Sequence, residues 1–151
     1  MRGLLTFAIC TGLASGPVAS AAQEVTPCDF RASAENIVEP WEENSRTFAN
    51  GAVRVALLDT IEPGAAAFHI LVLSPPFDEV GGRQCRMISP ARGFGFYTVD
   101  FQALEAAYDP ATGLSFALPV QAVDETGNPK PHRLHFTLNQ ASGAISAELA
   151  P

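Results

Sequence analysis

The sequence predicts an all-β protein: an antiparallel meander of about seven or eight strands forming a small barrel or sandwich, with a short irregular or partly helical N-terminal segment. Three observations carry this. Apolar residues recur with period two, in Val53-x-Val55-x-Leu57, Leu114 to Val120, Leu134 to Leu138 and Ile145 to Leu149. Turn-forming groups separate these runs, at Asn50-Gly51, Glu62-Pro63-Gly64, Asp109 to Gly113 and Asn139 to Gly143. The run Ala67 to Leu73 is apolar on both faces, as a covered central strand should be.

In chain order, residues 1–22 come first and read as a signal peptide. Arg2 supplies the positive start and Leu4 to Leu13 the apolar run. Gly16-Pro17 and the small residues up to Ala22 supply a cleavage site. The run is too short to cross a bilayer, which needs roughly 20 residues. Cys10 falls inside this leader. The mature chain is then expected to be a single secreted β-rich domain, residues 23–151, in the periplasm or outside the cell of a bacterium. No membrane insertion is expected after cleavage.

Gln23 to Asn44 is polar and poorly periodic. Ser33 to Val38 fits a helical turn that Pro40 ends. Trp41, the only tryptophan, is expected to pin this segment to the body, or else to serve as a contact surface. Thr47 to Val55 reads as a hairpin, because Asn50-Gly51 suits the two positive-φ positions of a type I′ turn. After the central strand, Ser74 to Gly82 reads as the longest internal loop, with Phe77 at its tip and expected to lie beside Arg92-Gly93-Phe94. Cys85 to Ser89 reads as a short strand ended by Pro90. Phe101, Leu104 and Tyr108 fit a helical period, but strand is favoured there because the following turn suits a hairpin. That turn, Asp109-Pro110-Ala111-Thr112-Gly113, matches Asn139-Gln140-Ala141-Ser142-Gly143 in chemistry; both suit a type I turn closed by a left-handed Gly. Glu125 to Pro131 is a plain loop.

Cys28 and Cys85 are expected to form a disulfide. A secreted chain favours oxidation, and the bridge would staple the N-terminal segment to the body. Charge points away from polyanions. Of nine Lys+Arg, Arg2 lies in the leader, which leaves eight bases against sixteen acids, a net of −8. Such a field disfavours nucleic acid and anionic membrane surfaces; a basic protein is the partner it would suit.

Catalytic patterns are weak. His69 lies among apolar neighbours and reads as a hydrogen-bonded core residue. His132 and His135 are three apart, which on a strand means opposite faces, so no metal is expected. Asp59 interrupts an apolar strand and is expected to pair with Arg46 or Arg54, or otherwise to be a buried acid. No nucleophile elbow or phosphate-binding glycine loop occurs, and no cofactor is implied. The expected role is a non-enzymatic binding domain acting through loops on a β scaffold, with Trp41, Phe77, Asp78 and Arg92 as candidate contact residues. Two alternatives are a small hydrolase or lyase using carboxylates such as Asp59, and a carrier of an apolar small molecule.

Overall fold

Period-two patterning forces each strand to present one apolar face, and two such faces close on each other. The computed structural model describes residues 21–62, 66–91 and 93–151. The expected leader up to Ser20, the expected turn at Pro63-Gly64 and Arg92 lie outside the described residues. Among those described, eleven strands form two antiparallel sheets. The barrel alternative thus gives way to a sandwich.

The first sheet is a meander of β3 (Ser45–Phe48), β4 (Val53–Asp59), β5 (Phe68–Phe77) and β6 (Arg83–Ser89), with β2 (Glu24–Pro27) added beside β6. The second is a meander of β8 (Glu105–Asp109), β9 (Gly113–Val123), β10 (Pro129–Leu138) and β11 (Ile145–Ala150). There β1 (Ala21–Ala22) is added beside β11, and β7 (Thr98–Val99) pairs the far end of β9. Each meander therefore receives one strand from the N-terminal stretch, which changes sheets at Gln23. The strand count exceeds the expected seven or eight because β1, β2 and β7 are short. A two- or four-residue strand shows too little alternation to stand out.

The core lies between the sheets. Val53, Val55 and Leu57 of β4, Ile70 and Val72 of β5, and Ile88 of β6 meet the inward series Leu114 to Val120 of β9 and Leu134 to Leu138 of β10. Phe116 is central, stacked on Phe136 at 4.6 Å and edge-on to Phe48 at 5.0 Å. Arg46 closes the β3 edge by donating to the carbonyls of Leu104 and Gln102 at 2.9 Å.

The first sheet is covered on its other face too. A strap of two 3-10 turns, Phe30–Ala32 and Ala34–Asn36, crosses Ala56, Leu58, Leu71 and Met87, and Cys28, Ala32 and Ile37 pack onto them. The Cys28–Cys85 disulfide holds it, with Cα atoms 5.4 Å apart. This is why β5 is apolar on both faces. The helical turn expected at residues 33–38 is thus confined to Ala34–Asn36, since Ile37 leaves it to bridge Leu58.

The sandwich has two unlike ends. One carries four tight connections. At Ala49–Ala52, Asn50 and Gly51 hold φ of 54° and 87°, and Ala49 also turns left-handed at 51°. The other three share a device: Asp78, Asp109 or Asn139 accepts backbone N–H groups two to four residues ahead, and a left-handed glycine follows. The matching chemistry of residues 109–113 and 139–143 is realised as expected. The long loop expected at residues 74–82 is not, because β5 continues through Pro75 and Pro76 to Phe77, leaving Asp78–Gly82 as the turn. Residues 124–128 form a turn of the same kind at the opposite end, and β10 already starts at Pro129.

Candidate functional site

The other end is open. The described parts of two connections, residues 60–62 with 66–67 and residues 90–91 with 93–97, meet there with the β9–β10 turn and the ends of β1 and β11. Gly95 makes this possible: its N–H donates to the Ala66 carbonyl at 2.7 Å, and a Cβ there would run into the carbonyl oxygens of Ala66 and Phe68. A cavity of about 470 Å³ opens beside this crossing. Ala66, Pro90, Ala91 and Phe94 wall one side; Ala122, Val123 and Leu149 wall the other. Gln23, Asp124 and His132 supply its polar groups, and Pro151 lies at its edge.

The cavity has a simple cause. Along β9 the inward side chains run Leu114, Phe116, Leu118, Val120 and then Ala122. Across from them β10 ends its inward series on His132 rather than an aliphatic residue. Small side chains at Ala66, Ala91 and Ala122 leave space that the rest of the core fills. Phe94 and Val123 keep much of their surface exposed around the opening. An adjoining depression shares Ala66 and is lined by Asp59, Ile61, Glu62 and Tyr97.

The polar groups of the cavity differ in availability. Asp124 Oδ1 accepts from the Thr126 hydroxyl at 2.6 Å, the Thr126 N–H and the Asn128 N–H, and its other oxygen lies 3.8 Å from Lys130 Nζ. The Thr126 hydroxyl, then the Asn128 N–H, hold this carboxyl below the usual carboxylate range. It is therefore an ion committed largely to its own turn. His132 differs: its Nδ1 is buried and has no hydrogen-bond partner among the described residues.

The residues singled out from sequence do not converge. Phe77 is half-exposed at the tight-turn end, nine residues along β5 from Phe68, which is about 30 Å at roughly 3.3 Å per residue. The expected neighbourhood of Phe77 with Gly93-Phe94 is therefore corrected: they sit at opposite ends. One oxygen of Asp78 is taken by the N–H groups of Val80 and Gly82. Trp41 is half-exposed in a shallow depression with Glu39, Pro40 and Glu42 rather than sunk into the body. Arg92 lies outside the described residues. Asp59 accepts from the Ile61 N–H at 2.8 Å, and among the described residues it makes neither expected pairing. Arg46 is occupied by carbonyls and Arg54 by the Ser45 hydroxyl.

His69 is buried, its Nδ1 2.7 Å from the Ser89 hydroxyl under the strap. Burial pushes it down to about 4, the nearby Arg31 cation adds to this, and Asp29 opposes it. It does not line the end cavity. His132 and His135 fall on opposite faces of β10, as their spacing predicts. No group of three or more His, Cys, Asp or Glu among the described residues is placed to hold a metal ion. No helix among them is long and apolar enough to cross a membrane.

Set beside known proteins, the chain matches no family model, no curated protein and no solved structure. Fold and cavity define a class on their own: a disulfide-strapped antiparallel β-sandwich with an apolar cleft at its open end. The disulfide itself fits an oxidising compartment.

Proposed function

We propose that this chain is a secreted, non-enzymatic binding domain that holds a small, largely apolar molecule in the cleft at its open end. The cleft carries the reading. Its volume is in the range of small-molecule sites, and its walls are mostly apolar with few polar groups. A catalytic reading would want convergent acids or His69 in that cleft. Its described lining offers one carboxylate, Asp124, which serves its own turn. The leader at residues 1–22 and the disulfide support secretion, and the net charge supports an aqueous, non-nucleic-acid setting.

Native mass spectrometry of protein recovered gently from the secretion compartment tests this. The expected result is a mature chain starting near Ala22 or Gln23 with an added small-molecule mass that denaturation removes. That mass should be missing from Ala91→Trp, where an indole fills the cleft from its exposed rim. Bare protein in both, or turnover of a substrate that depends on one acid or histidine, would overturn the proposal.

A further inference from the structure

The unpartnered nitrogen of His132 narrows the ligand class. A buried polar atom without a hydrogen bond costs about 1–3 kcal/mol, so such atoms in a native fold call for an explanation. Here the atom belongs to a ring in the cleft wall and no described residue supplies its partner; as the ring stands the atom is sealed from water, so a cleft ligand meets it only after a half-turn of the ring. Resting on the binding reading above, we infer that the cleft takes an uncharged apolar molecule bearing one hydroxyl, a phenol or an alcohol, held through Nδ1 of His132.

Two features select this class. A hydroxyl both donates and accepts, so it serves either tautomer of a neutral imidazole. The ring torsion of histidine is broadly two-fold, so a half-turn presents Nδ1 from either side of the ring in nearly the same space. Charge selects as well. Asp124 is ionised at the cleft, Asp59 and Glu62 line the adjoining depression, and no Lys or Arg is among the described lining residues. A carboxylate ligand would meet like charge that Lys130, 3.8 Å from Asp124 and not among the described lining residues, offsets only through a long ion pair, whereas Phe94, Val123 and Leu149 suit an apolar body.

Three probes with one ring system separate the possibilities: 1-naphthol, naphthalene and 1-naphthoate, titrated into the mature protein by calorimetry. The hydroxyl should make 1-naphthol bind about tenfold or more tighter than naphthalene, with 1-naphthoate weaker than 1-naphthol. His132→Phe should erase the preference for 1-naphthol while leaving naphthalene bound. Wild-type imidazole nitrogen NMR gives a readout that needs no variant: 1-naphthol should shift the His132 Nδ1 resonance and naphthalene should not. Equal affinities with no Nδ1 shift would overturn the His132 anchor and leave the cleft standing. Tighter binding of 1-naphthoate would overturn the uncharged class. Failure of all three probes to bind would remove the inference and the binding reading together.

Discussion

Acidification should loosen the face of β5 beneath the strap, by an amount that the burial of His69 sets. The imidazole is 2% exposed and titrates at about 4 in the folded chain, against about 6.5 when unfolded. Between those values the unfolded chain binds a proton that the folded chain refuses, so stability rises with pH across that window. The contribution is complete above about pH 6.5 and is lost as pH falls through 4. At roughly 1.4 kcal/mol per unit, the full loss is about 3 kcal/mol, of which about 2 falls between pH 7 and pH 5. Arg31 deepens the effect and Asp29 softens it. Urea unfolding followed by far-ultraviolet circular dichroism, at several pH values, should be run on the wild type and on His69→Gln. The sixteen acids titrate in both proteins, so the difference between the two slopes isolates the imidazole. Wild type should lose about 2 kcal/mol more than the variant from pH 7 to pH 5. Parallel slopes would refute the reasoning, because they would mean that the folded chain protonates His69 as readily as the unfolded one.

Three further outcomes are expected. Replacing both Cys28 and Cys85 by Ala should cost about 4 kcal/mol by loop-closure entropy over 57 residues, read as a lower urea midpoint, with dye binding to the uncovered Leu58, Leu71 and Met87. Gly113→Ala should destabilise more than Gly127→Ala. Both sit at positive φ, at a cost of about 1–2 kcal/mol, but at Gly113 the added methyl also meets the Leu138 carbonyl oxygen, while at Gly127 it meets open space. Phe116→Ala should cost about 3–5 kcal/mol in thermal or urea unfolding, since the ring contacts both Phe48 and Phe136 at the centre of the core.

What was legible in the sequence was what depends on local rules. The strands β4, β9, β10 and β11 follow from alternation and β5 from a run apolar on both faces; the turns at residues 109–113 and 139–143 follow from side chains that bond their own backbone, and that at 50–51 from residues that accept positive φ. The disulfide followed from the expected compartment and from the count of cysteines. β2 was missed because Glu24-Val25-Thr26-Pro27 has a single aliphatic side chain, and its strand character comes from pairing with β6. The reach of β5 was underread because Pro75-Pro76 looks like a break, yet the ladder to β6 shifts register across them, from Ser74 opposite Gln84 to Phe77 opposite Arg83, so neither proline has to pair. The cleft was hardest to see. It exists because Ala66, Ala91, Gly95 and Ala122, far apart in the chain, fall at one end. The one trace in the sequence is the taper of the inward series of β9 to Ala122 opposite His132. Of the candidate residues, Phe77 and Trp41 were chosen for size and Asp78 for charge, and neither property reports which end of a sandwich is open.

The placement of β2 imposes a schedule on folding. Glu24 to Pro27 pair with Ser89 to Arg86, so this strand is made well before its partner. At about 5–20 residues per second, the 57 residues from Cys28 to Cys85 take roughly 3–11 s to follow. The two meanders can assemble from neighbouring hairpins as they emerge, whereas β2 and the strap have nothing to close on until β6 arrives. The strap is thus made before the sheet that it covers.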